Sequence, residues 1–431
     1  MQCQDGACFR PGACEWRERV VLNVLWLFFF AVTVVTACWQ AFALGDSGSF
    51  GRVVQAWFDG ARFSVEISIG LVGMMTLWLG LFKVAEHAGL VAVFGRMLQP
   101  LFRRLMPEVP AGHPAFGAVT MNLSANFLGL DNAATPLGLQ AMRELQTLNP
   151  EPERATKAQS LFLVINTASV TLIPVSVFLY RAQQGAPDPA SVFLPILLAT
   201  SASTLVGVTA ICLLHRIRLF DRVILAYAAG FAAFMAAVIT LLLQLPSADM
   251  GRVSGAVGNG LLVLVIAGFL AAGWWRRQPV YEHFVNGAKE GFQTAIGLIP
   301  YLVAMLVAIA GLRASGALGM ALDGIQALLQ WLGMATEFVP ALTTALMKSL
   351  SGSGARAMMI ETMQTYGVDS FPALVAAIIQ GSSETTLYVV AVYYGVVGIR
   401  KDRGALACGL LADVTGVVVA ILAAYWFFPP G

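Results

Sequence analysis

Charge is what this sequence has least of. Only 12% of its 431 residues are Asp, Glu, Lys or Arg, about half the share of an ordinary soluble domain, roughly 25%. So little polar surface cannot cover a water-soluble body of this length, which excludes a soluble enzyme and a disordered chain. The balance of 26 basic against 24 acidic residues leaves a net charge of +2. No broad basic face is available for nucleic acid. Histidine is also scarce, with His87, His113, His215 and His283 far apart in the chain. The six cysteines, Cys3, Cys8, Cys14, Cys38, Cys212 and Cys408, fall at no zinc spacing and have no histidine at ligand distance. No metal site and no cofactor is expected. Phosphate-loop, HExxH and GxSxG motifs are missing as well, so no catalytic residue is assigned and the chain is not expected to be an enzyme.

What fills the sequence instead is apolar: 58% hydrophobic residues and a mean hydropathy of +0.75. A helix needs about 20 apolar residues to cross a bilayer. Nine runs qualify: Val20–Leu44, Phe63–Val84, Ala158–Tyr180, Ser191–His215, Val223–Leu245, Gly255–Trp275, Gln293–Leu312, Phe371–Tyr394 and Gly404–Phe427. The first follows Arg17 and Arg19 and contains a signal-peptidase-like Ala41-Phe42-Ala43, but it is too long for a signal-peptide core. It reads as an uncleaved anchor. Two further regions, His113–Arg143 and Glu337–Tyr366, are too short to cross twice and are interrupted by polar centres. Each fits a re-entrant pair of half-helices, since irregular backbone at membrane depth persists only where protein or water satisfies it. Ala85–Met106 and Ser315–Met334 are amphipathic and would lie along the interface. The fold class expected is an all-α polytopic membrane protein with about nine transmembrane helices and two re-entrant hairpins.

Basic residues orient this layout. With the N-terminus cytoplasmic, 19 of the 26 fall on the inner side; the exceptions are Arg52, Arg62, Arg181, Arg252, Arg313, Lys348 and Arg356. The order of parts also recurs: span, interfacial helix, hairpin, polar-centred span. Gly60-Ala61 and Ile69-Gly70-Leu71 return 227 positions later as Gly287-Ala288 and Ile296-Gly297-Leu298, with Leu79 matching Leu306 and Gly89 matching Gly316. The two copies are oppositely oriented, the pattern of secondary transporters whose site lies between inverted repeats. The expected organisation is an N-terminal segment with the first span (1–57), a first repeat (58–188), linking spans (189–280), a second, inverted repeat (281–400) and a last span (401–431).

Polar residues inside apolar runs are the candidate site. Hairpin one offers Asn122, Asn126, Asp131 and Asn132; amides both donate and accept and can replace a solute's hydration. The span after it is interrupted at Asn166 and Ser169. Hairpin two offers Ser351, Ser353 and Arg356 beside glycines, at a half-helix start whose dipole favours an anionic or polar group. The span after it is interrupted at Gln380, Ser383 and Glu384. These twelve are the expected substrate contacts. Glu384, Asp413 and Glu66 are the candidates for a coupling ion, because a charge at membrane depth costs roughly 2.5–3.5 kcal/mol and is kept for a reason. An ion pair of Glu384 with Arg356 or Lys348 is the structural alternative.

The stretches HPAFGAVTMNLSANFLGLDNAATPLGLQAMRELQ and FLVINTASVTLIP, at 113–146 and 162–174, resemble the spore maturation protein A family. LMKSLSGSGARAMMIETMQTYGVDSFPA and IIQGSSETTLYVVAVYYGVVGI, at 346–373 and 378–399, resemble the spore maturation protein B family. The chain thus looks like a fusion of the two, within the Gate or nucleoside-recognition group. That group is similar to concentrative nucleoside transporters and to the membrane part of the bacterial ferrous iron transporter. The resemblance implies a bacterial inner-membrane protein with a transporter-like core, and in sporulating bacteria a link to spore-core dehydration and the cortex. Asp131 departs from the glycine expected there. The function expected is transport of a small polar or anionic solute at the interface of the two repeats. The alternative is a non-transporting scaffold in spore-cortex or envelope maturation. The expected partners are the lipid bilayer and the solute, with no nucleic acid; coupling to protons or sodium, and homo-oligomerisation, are left open.

Overall fold

A computed structural model describes residues 13–110, 112–127 and 131–430. Cys3 and Cys8 lie outside the described residues, as does the side chain of Cys14. Among the described residues the chain is helical: α1 (Ala13–Ala43), α2 (Ser49–His87), α3 (Leu90–Leu105), α4 (Pro114–Phe127), α5 (Asp131–Gln146), α6 (Lys157–Thr167), α7 (Val175–Gln183), α8 (Phe193–Leu214) and α9 (Arg222–Leu243). There follow α10 (Ser247–Trp275), α11 (Val280–Ala314), α12 (Ala317–Trp331), α13 (Leu342–Leu350), α14 (Gly352–Tyr366), α15 (Phe371–Ser382), α16 (Thr386–Gly395) and α17 (Ala405–Phe427). Among the described residues, eight stretches are long and apolar enough to cross a membrane: α1, α2, α8, α9, α10, α11, the α15–α16 run and α17. This is a polytopic all-α membrane protein.

The ninth expected span, Ala158–Tyr180, is no continuous helix. It ends at Thr167 and restarts as α7 at Val175. Between them Val170, Thr171 and Ile173 are β-branched, and Pro174 pushes the residue before it out of helical conformation. The long helices also exceed their apolar runs: α2 has 39 residues and α11 has 35. Hydropathy marks only the lipid-facing middle, while the helices run on through polar ends such as Asp59 and Arg62 or Glu282 and Lys289. The hairpins α4/α5 and α13/α14 are packed pairs. Their arms, of 14, 16, 9 and 15 residues, are no longer than about 24 Å at 1.5 Å per residue, short of the roughly 30 Å apolar core.

Equivalent parts of the two halves repeat in local geometry. Gly89 opens α3 at φ +74° and Gly316 opens α12 at φ +76°, a left-handed turn that glycine adopts without strain. The long helices then pack on each other head to tail. Gly60 of α2 meets Leu306 and Ala310 of α11, while Gly287 of α11 meets Leu79 and Lys83 of α2. These contacts interchange under the 227-residue offset. Ser64 Oγ donates to Leu302 O at 3.4 Å, and its counterpart Gly291 lies against Met75 O, the counterpart of Leu302. Equivalent helices touching antiparallel through equivalent residues are the mark of an inverted repeat. Each half's first span packs on the other half's long helix: Trp26 Nε1 of α1 donates to Ala304 O at 2.9 Å, and Gly273 of α10 approaches Val84. The closing helices α8 and α17 pack together through Gly207 against Ala412 and Gly416 against Ser203. Between the halves runs α9, in which only Ile224 and Leu242 are buried.

Candidate functional site

Four irregular segments converge: two hairpin tips and two helix breaks. At the first tip, Asn126 Nδ2 donates to Asn166 Oδ1 at 2.9 Å, just before the break after α6, and Leu172 N within that break donates to Phe127 O at 3.3 Å. At the second tip, Gly352 lies against the hydroxyl of Thr385, in the break after α15. The two breaks are joined directly, Glu384 N donating to Thr167 O at 2.8 Å. Tip, break, break and tip therefore form one chain of contacts, with two residues from each half at its centre.

The first break is held by its own closing helix. Thr200 Oγ1 donates to Ser169 O at 2.8 Å and accepts from Thr171 N at 3.3 Å. Thr204 Oγ1 donates to Ala168 O. These hydroxyls satisfy backbone groups that the broken helix leaves open, as buried peptide groups require. Asn166 is the hub of this side. It is 2% exposed, its Nδ2 donates to Phe162 O at 2.9 Å, and its Oδ1 also accepts from Tyr393 Oη at 3.4 Å. Asn122, fully buried, donates from Nδ2 to Ala134 O at 2.6 Å and fastens the two arms of hairpin one, leaving its own Oδ1 without a partner.

The second break is differently held. Ser351 alone links α13 to α14; its hydroxyl accepts from Gly354 N at 3.1 Å and lies 3.2 Å from Ser353 Oγ. Lys348 Nζ donates to Gln380 O at 2.6 Å, which takes up a carbonyl near the end of α15. Asp413 of α17 accepts from Ser349 Oγ at 2.9 Å. Several buried polar atoms here have no hydrogen-bond partner: Gln380 Oε1, Ser383 Oγ, Thr386 Oγ1, Asp413 Oδ1 and Arg356 Nε. Orphaned polar atoms are costly, and this many in one neighbourhood point to a place built for something polar.

Most of the expected site residues are thus brought together, but two details differ from expectation. Glu384 is exposed instead of packed inside or paired, and no ion pair joins it to Arg356; its carboxylate is within electrostatic reach of Tyr393. Glu66 does not join the cluster. It sits 57% exposed on α2 in an i,i+4 ion pair with Arg62 at 2.9 Å, a solvated pair worth only tenths of a kcal/mol. The side chains of Asp131 and Asn132 lie outside the described residues. Sequence reasoning missed Tyr393, which lies within the apolar run Phe371–Tyr394, and the α8 hydroxyls Thr200 and Thr204. The run Thr200-Ser201-Ala202-Ser203-Thr204 in the middle of an apolar span was the available signal.

Comparison with known proteins agrees with this layout. The family model described as "Gate: Nucleoside recognition" matches residues 68–183 and 295–400, together about half of the chain. The chain is 38% identical over 183 residues to spore maturation protein A of Bacillus subtilis (strain 168), covering 42% of this chain and 90% of that protein. It is 45% identical over 162 residues to spore maturation protein B of the same organism, covering 38% of this chain and 89% of that protein.

Proposed function

Because the chain belongs to the Gate nucleoside-recognition family, we propose that it is a transporter of the bacterial inner membrane. It moves a small polar or anionic solute through the interface between its two inverted halves, with its N-terminus in the cytoplasm. The observation that carries this reading is the hydrogen bond between the two helix breaks, Glu384 N to Thr167 O, with a hairpin tip held at each break. Broken helices meeting between inverted repeats supply unsatisfied backbone groups and half-helix ends where a solute can replace its hydration shell. An exposed carboxylate at the level of two breaks is tolerable in a membrane only where water reaches it, so Glu384 supports an aqueous path to this point. Arg356, near the start of α14 and with a buried Nε that has no partner, supports an anionic or hydrogen-bond-accepting solute group. No covalent chemistry is assigned to the site.

The test is flux in proteoliposomes carrying the full chain, screened with nucleosides, carboxylates and phosphorylated metabolites. Transport of one class is expected, reduced at least tenfold by Glu384→Gln and by Arg356→Ala at equal protein abundance. A protein that moves nothing across the panel, whose loss disturbs only envelope or spore-cortex assembly, would be a scaffold. That outcome would overturn the reading.

A further inference from the structure

The second break holds a group of oxygens that the hydrogen-bonded framework leaves over. Asp413 is 2% exposed. One of its oxygens accepts from Ser349 Oγ at 2.9 Å, and the other has no partner. The hydroxyls of Ser383 and Thr386, 6% and 0% exposed, turn toward the same carboxylate and have no other partner. Four elements supply these atoms: α13, the break, the start of α16, and α17. None of them bonds to the backbone of the break in the way Thr200 and Thr204 do on the other side; here Lys348 instead takes up the Gln380 carbonyl.

Every atom in the group is an oxygen, with no imidazole or thiolate, which suits hard cations. One carboxylate among neutral hydroxyls carries a single negative charge. That matches a monovalent ion, whereas a divalent ion would call for more carboxylates. The nearby Lys348 ammonium, whose charge reaches Asp413, repels any cation and a doubly charged one most, so a guest here is held to a single charge. We propose that Asp413, Ser349, Ser383 and Thr386 bind one sodium-sized monovalent cation, tying hairpin two and the α15–α16 break to α17. The proposal deepens the transporter reading and rests on it for one part: there, this cation is the coupling ion.

The experiment uses the purified full chain in nanodiscs and sodium itself as the probe. Thermal stability and radiolabelled sodium binding are measured in sodium chloride against choline chloride at constant ionic strength and pH. Saturable stabilisation by sodium is expected, with lithium weaker and choline inert. Asp413→Asn should weaken the sodium response at least tenfold, and Ser383→Ala and Thr386→Val several-fold each. The two hydroxyl variants keep the test decisive if Asp413→Asn does not fold. Equal stability in sodium and choline, or an undiminished sodium response in all three variants, would overturn the site. So would a response to pH alone that Asp413→Asn abolishes, which would make the guest a proton. Sodium binding without movement of any solute would leave the site standing and remove the transport reading. Transport that proceeds equally in choline would keep the transport reading and overturn the cation's coupling role.

Discussion

Asn166 shows how one side chain can serve three elements: it receives Asn126 from hairpin one and Tyr393 from α16, and ties back to its own helix at Phe162. Asn166→Ala leaves the Asn126 amide and the Tyr393 hydroxyl without this acceptor, at a cost of about 1–3 kcal/mol per orphaned group. A fall in the thermal midpoint larger than for a surface Asn→Ala control is expected. His215, just past α8, is buried with Nε2 unpartnered. Burial first, then the charges of Arg403 and Lys157, hold its pKa below the usual value. The unfolded chain, titrating near the ordinary value of about 6.5, therefore takes the proton first as pH falls. This contribution to stability is intact above that pH and is lost below it. A pH series of melting curves should slope down on the acid side, and His215→Gln should flatten it. At this scale the sequence was readable where a polar atom stood in an apolar run, as at Asn126, Asn166 and Asp413. It was unreadable where the decisive fact was a partner hundreds of residues away, as for Tyr393.

Among the elements, the hairpins were legible by length and the broken spans by their polar centres, because both follow from how far a helix must reach. What caps each break was not legible. The hydroxyl run from Thr200 to Thr204 stands out in an apolar span, but only packing of α8 against the break gives Thr200 and Thr204 their task. The close approach of α2 and α11 was visible only as repeated glycines, whose meaning needed the partner helix. A Cβ at Gly291 would lie 2.6 Å from Met75 O, so Gly291→Leu should wedge the two helices apart. A loss of roughly 1–3 kcal/mol is expected from such overpacking, read as a lower melting temperature in detergent, with Gly297→Leu, in open space on the same helix, as the tolerated control. Arg181 is a second fastening. Fully buried, it donates to Pro189 O at 3.2 Å, Val368 O at 3.2 Å and Asp369 Oδ1 at 2.9 Å, joining α7 to the turn after α14. Arg181→Met should release that turn, detectable as faster proteolysis near Val368.

The whole molecule is two copies of one plan plus α9. Read as crossings, α1, α2, the broken α6/α7 and α8 make an even number, which returns the chain to the side it started from. Two such halves joined directly would insert in the same orientation, and α2 could not meet α11 head to tail. The single extra crossing by α9 reverses the second half. That explains a helix with only Ile224 and Leu242 buried: its contribution is to parity and hardly to packing. Separate proteins need no such device, since each can insert in its own sense, and the two Bacillus subtilis relatives are each matched over about nine tenths of their length by part of this chain. Residues 1–220 and 244–431 co-expressed as two chains should accordingly reassemble, co-purifying with the melting behaviour of the intact protein. Deleting 222–243 in frame should instead leave the second half facing the wrong way, scored by reversed labelling of a cysteine placed after Phe427. In evolutionary terms α9 is a hyphen, the one crossing that a pair of genes can omit and a fused gene cannot.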